Sequence, residues 1–233
     1  FKLIGYLNLS TYNRFMISKM KPDLKKILYL DSDIAAFGDI EKLYDEDLED
    51  KVMAAVPEYM YNDINLPDIK NKLDLSSEHK YFNAGVMLID NQKWIEAGIS
   101  DKVFEIEKLY KDRLFYADQD ILNIIFDNDY KILDEKYNYT SHRTESSSDT
   151  IIRHYNTAIK PADINPELNS ELIPDIDEFW KYAEMTPYYD MMIDRVKNQT
   201  FKSSDYMALK FKRTIAVKHK NEFIMKMKQK SKI

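Results

Sequence analysis

Four short apolar runs, Lys26–Asp31, Val52–Val56, Tyr81–Asp90 and Ile151–Tyr155, alternate with stretches of helical character, and this alternation limits the fold more than any other feature. Short apolar runs bounded by turn residues suit buried strands. Strands interleaved with helices imply an α/β domain with a largely parallel sheet. Ser10 is placed to cap a helix over Thr11–Met20, which Pro22 stops, and a short acidic helix follows over Glu41–Leu48. Ser100 is placed to cap another, with Val103, Phe104, Ile106 and Leu109 as its apolar face, and a further helix runs from Asp118 to Phe126. The polar stretch from Glu58 to Lys80 reads as a long loop and a candidate lid, and Thr140 to Asp149 as a Ser-rich loop. From Asp175 onward the pattern is helical, with Met207, Phe211, Ile215, Phe223 and Met227 recurring at four-residue steps and His219 occupying the missing one.

A chain of 233 residues can bury one sizeable core. Its lack of cysteine removes disulfides and thiolate ligands, so any metal must be held by oxygen and imidazole. No run approaches the ~18–20 apolar residues that cross a bilayer, and no leader pattern opens the chain, so a cytoplasmic protein is expected. The net charge of -6 hides an asymmetry: residues 195–233 carry twelve Lys or Arg against Asp205 and Glu222, leaving an acidic body with a basic tail. That tail is expected to contact an anionic membrane peripherally, on its inner face. No nucleic-acid partner is expected.

Asp31-Ser32-Asp33 ends the first apolar run, where open α/β sheets place their ligand crevice. Two carboxylates two residues apart leave an extended backbone on the same side and can share one cation. A nucleoside diphosphate leaving a sugar accumulates negative charge, which such a cation offsets; an oxygen-rich site suits Mg²⁺ or Mn²⁺, and an added imidazole favours Mn²⁺. Asp-x-Asp alone is also a common solvated turn, so the triplet draws its meaning from the residues around it.

Those residues form an ordered series: Tyr12-Asn13-Arg14-Phe15, Ile27 to Asp33, Tyr81 to Ile89, Asp118-Gln119-Asp120-Ile121-Leu122-Asn123, and His154-Tyr155 with Lys160-Pro161. The series resembles glycosyltransferase family eight, the retaining bacterial lipopolysaccharide galactosyl- and glucosyltransferases and their glycogenin-like relatives, over roughly residues 8 to 162. The resemblance implies a GT-A-like, Rossmann-like α/β fold and retaining transfer of glucose or galactose from a UDP-sugar to a glycan acceptor such as lipopolysaccharide. It also implies that Asp31, Asp33 and His154 hold the metal, that Lys160 binds the diphosphate and that Arg14 lies near the donor. Ser32 and Ala84 fall within the same donor-binding motifs. Asn83 and Asp118 match residues that hydrogen-bond the donor sugar, and Gln119 matches the glutamine beneath the anomeric carbon. Asp118 and Gln119 are thus the catalytic candidates, although Asp118 also fits a helix N-cap. Gln119 is a poor nucleophile, which favours substitution on one face through a short-lived oxocarbenium ion.

Three departures qualify the resemblance. The family's opening βαβ unit would lie roughly 70 to 80 residues ahead of Phe1, so the chain is expected to be incomplete at its N-terminus. Thr157 and Ala162 stand where a glycine and a tryptophan are usual. The expected organisation is a partial catalytic domain over 1–165 and a helical region over 166–233, basic from 195. Two alternatives stay open: a non-catalytic sugar- or membrane-binding remnant, and a haloacid-dehalogenase-like phosphatase, whose motif expects Thr or Val where Ala35 stands.

Overall fold

The computed structural model describes residues 9–58, 67–140, 148–156, 160–163 and 175–198. The N-terminal entry at Phe1–Tyr6, part of the expected lid (59–66), Thr157 of the phosphate loop and the amphipathic basic stretch beyond Asn198 lie outside the described residues. The chain divides into two compact units. One comprises Phe1–Ser32 and Asp39–Asn138, the other Asp33–Gly38 and Tyr139–Ile233.

The first unit is built on a four-stranded sheet of β1 (Lys26–Leu30), β3 (Met53–Pro57), β4 (Phe82–Asp90) and β5 (Lys131–Ile132), in the order β1-β4-β3-β5. The nine-residue β4 is buried at every position but its last, as its apolar composition requires. It pairs antiparallel with both neighbours, Leu28 opposite Leu88 on one side and Ala54 opposite Leu88 on the other. Among the described residues of this sheet, β3 and β5 alone are parallel. The largely parallel sheet expected from the alternation is therefore corrected to a mixed one. Apolar runs report burial, which strands of either direction share, and β4 inserts between β1 and β3 instead of extending them.

Several helices also differ from their sequence expectation. The first segment opens as a 3-10 helix over Leu9–Met16 before becoming α1 (Ile17–Met20), in keeping with the weak α propensity of Thr11, Tyr12, Asn13 and Phe15. The acidic helix α2 is only Glu41–Tyr44. The carbonyls beyond it are claimed by lysines: Lys26 Nζ donates to Tyr44 O (3.0 Å) and Glu46 O (2.9 Å), and Lys131 Nζ to Asp47 O (2.5 Å). Within the expected lid loop, Pro67–Lys72 forms a helix, α3. A further helix, α4 (Asn91–Glu96), is capped by Asp90, whose carboxylate accepts from Gln92 N (3.1 Å) and Lys93 N (3.0 Å).

The helix expected to start at Ser100 is α5 (Ile99–Tyr110), and its N-cap is Gly98 at φ +64°, a left-handed conformation in which glycine carries no Cβ penalty. Ser100 is instead a buried core residue: its hydroxyl donates to Phe15 O (2.6 Å) and accepts from Trp94 Nε1 (3.2 Å). Phe104 and Leu109 are 46% and 72% exposed, so the buried face is Ile99 and Val103, with Ile106 packed against the core. Helix α6 (Asp118–Ile125) completes the unit, and its Ile121 and Leu122 join Phe15, Met87 and Trp94 in one core.

The second unit carries a three-stranded sheet in the order β2-β7-β6, from β2 (Ile34–Ala36), β6 (Tyr139–Thr140) and β7 (Ile152–His154). Helices α7 (Ile176–Glu184) and α8 (Tyr189–Asn198) agree with the helical reading from Asp175 as far as Asn198, and Ile176, Trp180, Ala183 and Val196 cluster around Tyr155. Arg153, fully buried on β7, is paired with Asp175 at the start of α7 through Nε (2.7 Å). Among the described residues no helix is long and apolar enough to cross a membrane.

Ser100→Ala should lower the unfolding free energy by about 1–3 kcal/mol, because two buried polar groups lose their partner. Ser100→Asp, which a capping position would welcome, should be at least as damaging in this buried setting. Urea denaturation of both variants separates the two roles, and a stable Ser100→Asp protein would reinstate the cap.

Candidate functional site

In the first unit the candidate residues gather around Arg14, which the 3-10 helix directs across the C-terminal end of β1. Its Nη2 donates to Asp31 Oδ1 (2.9 Å), its Nη1 to Ala84 O (2.7 Å), and its Nε lies 2.8 Å from Asp118 Oδ2. The guanidinium also stacks on the Tyr29 ring, 4.6 Å from the centroid, and Tyr29 Oη donates to the same Asp31 oxygen (2.7 Å). Asp31 itself follows β1, and its N–H donates to Gly85 O (2.8 Å), which fixes the carboxylate beside β4. Tyr29 escaped the sequence reading, although its place two residues before Asp31 on a strand puts both side chains on one side. Ser32, next in the chain, is exposed.

Charge and burial compete at Asp118. Burial pushes its carboxyl up to about 7, and the negative charge of Asp31 adds to that, while Arg14 and the backbone N–H groups of Asp118 and Gln119 oppose it. Burial also raises the Tyr29 phenol, with Arg14 opposing and Asp31 reinforcing, so that it remains a donor at neutral pH. The N-cap position of α6 is Ala117 at φ +47°, so Asp118 is the first helical residue and not the cap; its carboxyl meets both Arg14 and the backbone N–H groups that open the helix.

The two amide candidates are held differently. Gln119 accepts the Ala84 N–H on Oε1 (3.1 Å), so Ala84 serves Arg14 with its carbonyl and Gln119 with its amide. Asn83 is buried and directed inward: its Nδ2 donates to Glu58 Oε2 (2.8 Å), and its Oδ1 accepts from Gly85 N (2.9 Å) and Asn138 Nδ2 (2.9 Å). Sequence reasoning missed this network, because Glu58 and Asn138 lie 25 and 55 positions from Asn83.

In the second unit Asp33, which immediately precedes β2, meets two residues more than 120 positions downstream. Its Oδ2 accepts from Lys160 Nζ (2.6 Å), and its Oδ1 lies 3.2 Å from His154 Nε2. The pairing of β2 with β7 sets Ile34 opposite His154, which brings the histidine beside Asp33. Lys160 Nζ also donates to Tyr155 O (2.8 Å), and its backbone N–H to Asp163 Oδ2 (3.1 Å). Burial acts to raise the Asp33 carboxyl, but the hydrogen bonds and charges of His154 and Lys160 outweigh it and hold it well below the usual carboxylate range. Asp33 is thus an anionic acceptor at neutral pH, and a carboxylate with an imidazole is a donor set that suits a divalent cation.

A family model described as "Glycosyl transferase family 8" matches residues 1–162. A lipopolysaccharide 1,2-glucosyltransferase of Escherichia coli is 34% identical over 157 residues, covering 59% of this chain and 44% of that protein. A lipopolysaccharide 1,3-galactosyltransferase of Salmonella typhimurium is 33% identical over 149 residues, covering 61% of this chain and 43% of that protein. Among solved structures, an active-site mutant of LgtC superposes with a TM-score of 0.69 at 25% identity, over 79% of this chain and 70% of LgtC. The chain spans less than half the length of the curated relatives it matches.

The elevated Asp118 carboxyl makes a stability prediction. A folded-state value near 7 against an ordinary 3.8 means that the folded protein holds this proton more tightly than the unfolded chain. The folded state therefore loses stability as pH rises from about 4 to 7. Asp118→Asn should flatten that decline, by an amount on the order of 4 kcal/mol. Urea denaturation of both proteins at each pH checks this; parallel pH profiles would refute it.

Proposed function

The chain belongs to glycosyl transferase family 8 and has its GT-A-like α/β fold, and from that premise we propose a metal-dependent, retaining transfer of glucose or galactose from a UDP-sugar to a glycan hydroxyl. The observation that carries the proposal is Asp33, kept ionised between His154 and Lys160 by contacts that reach across the chain. The names of the two lipopolysaccharide glycosyltransferases support a hexose donor and a surface-polysaccharide acceptor.

Asp31, Asp33 and His154 would hold the cation, two carboxylates and one imidazole fitting Mn²⁺ or Mg²⁺. Bound there, the ion supplies positive charge that offsets the charge gathering on the leaving diphosphate. The Lys160 amine adds a second positive charge for the same phosphates. Arg14 neutralises Asp31 and Asp118 on its own side, so these carboxylates stay oriented and do not repel the donor. Asp118 presents a carboxyl suited to sugar hydroxyls, while Asn83, expected at the donor but turned toward Glu58 and Asn138, would act by holding the Gly85 N–H and so the backbone of β4.

Gln119 offers an amide carbonyl to the positive charge that develops at the anomeric carbon, and it does not form a covalent bond there. The bond from the anomeric carbon to the phosphate oxygen breaks and a bond to the acceptor oxygen forms on the same face. The acceptor's proton passes to the departing phosphate. The basic residues from 195 to 233 support a peripheral contact with an anionic membrane, near which a lipid-linked acceptor would reside.

UDP release from UDP-glucose and UDP-galactose, followed with a panel of glycan acceptors and Mn²⁺, tests the proposal. Asp33→Ala should lower turnover on the order of 10²–10³-fold. EDTA should abolish turnover and added Mn²⁺ restore it; metal-independent turnover, or an unaffected Asp33→Ala protein, would sink the reading. Partition onto anionic vesicles should weaken at high salt, and salt-insensitive binding would argue against an electrostatic membrane contact.

A further inference from the structure

The amide of Gln119 has two chemically different ends, and each meets a group that tolerates only one of them. Its Oε1 accepts the Ala84 N–H at 3.1 Å, and its Nε2 donates to Tyr81 Oη at 3.3 Å. Tyr81 donates its own hydroxyl proton to Asp120 Oδ1. Asp120 is a fully buried carboxylate, and its other oxygen accepts the backbone N–H groups of Phe115 and Tyr116, the latter at 2.7 Å. With its proton directed at Asp120, the Tyr81 oxygen faces Gln119 as an acceptor and selects the nitrogen end. A flipped amide would set NH₂ against the Ala84 N–H and Oε1 against the tyrosine lone pairs, two repulsions in place of two hydrogen bonds.

The main chain beneath the amide is fixed as well. Asn123, fully buried one turn further along α6, donates through Nδ2 to Gln119 O (2.9 Å) and Phe82 O (3.0 Å). Its Oδ1 accepts from Phe82 N (2.8 Å) and lies 2.9 Å from His79 Nε2. The first turn of α6 is therefore tied to the first residue of β4, which leaves the side-chain amide as the remaining freedom of Gln119. Tyr81 is 0% exposed, so it acts on a ligand only through its neighbours.

We propose that Tyr81 is a positioning residue that, through a hydrogen-bond chain from Asp120, orients the amide of Gln119 for the transfer step. This rests on the placement of Gln119 at the anomeric centre. The chain sets which atom of the amide faces which neighbour, and its effect falls on the rate of transfer more than on donor affinity, because the tyrosine contributes no contact of its own to the donor.

Tyr81→Phe removes one oxygen and keeps the ring, and thermal unfolding verifies that the variant folds. Single-turnover and steady-state transfer should show kcat lower by roughly tenfold with the donor KM within about twofold. In a Gln119→Ala background the same substitution should change the rate by less than about twofold, since nothing is left to orient. An unchanged kcat, or an equal fall in both backgrounds, would overturn the inference while leaving the glycosyltransferase reading intact. A wild-type protein that transfers no sugar would overturn both.

Discussion

A guanidinium removed from water must find an acceptor for nearly every N–H it carries, and at Arg14 that requirement organises the candidate residues of the first unit. Asp31 from the end of β1, the Ala84 carbonyl from β4 and Asp118 from the start of α6 converge on it, and the Tyr29 ring covers one face. Three elements far apart in sequence are thereby fixed to one planar fork. The two carboxylates would repel each other without the cation between them, and the upward displacement of Asp118 marks how closely burial and that repulsion are balanced against Arg14. Breaking one arm of such a group costs more than the arm contributes, because the remaining charges stay buried.

Around this centre the unit relies on neutral amides. Asn83, Gln119 and Asn123 each join backbone groups or side chains that the sheet and helices leave unpaired. Asn123 satisfies both the N–H and the C=O of Phe82, a residue at the strand end where ladder partners run out. Amides suit this role because each carries donors and acceptors in one plane without a charge to desolvate. The second unit works differently, with full charges in opposition: Asp33 against Lys160, beside the His154 imidazole, and Arg153 against Asp175. A carboxylate held anionic in this way keeps its lone pairs available at neutral pH, which is what a metal ligand requires.

Much of the architecture is legible in the residues. The strand at Lys26–Leu30, the long one at Phe82–Asp90 and the helix opening at Asp118 all follow from apolar runs and turn residues. Other features are not. The two-residue strands at Lys131–Ile132 and Tyr139–Thr140 are too short to carry a period, and Pro67–Lys72 forms a helix in a stretch whose composition favours a loop. Ser100 has the residue type of a cap and the position of a core hydroxyl, because Gly98 two residues earlier adopts the left-handed turn that ends the preceding segment.

The sequence by itself determined which residue types are available and which segments are buried: two aspartates at a strand end, a histidine on a late strand, and amides flanking short apolar runs. Those are local properties, set by side-chain chemistry and by periods of two or 3.6 residues. Only the tertiary structure decided that β4 runs antiparallel between β1 and β3, that Arg14 serves both Asp31 and Asp118, and that Asn83 turns toward Glu58 and Asn138. Partners of that kind are chosen by the geometry of loops closing over tens of residues, and the local pattern is the same whichever partner is chosen. Asp31-Ser32-Asp33 announces a possible ligand site in the sequence; His154 and Lys160 meet Asp33 only because β7 folds back beside β2.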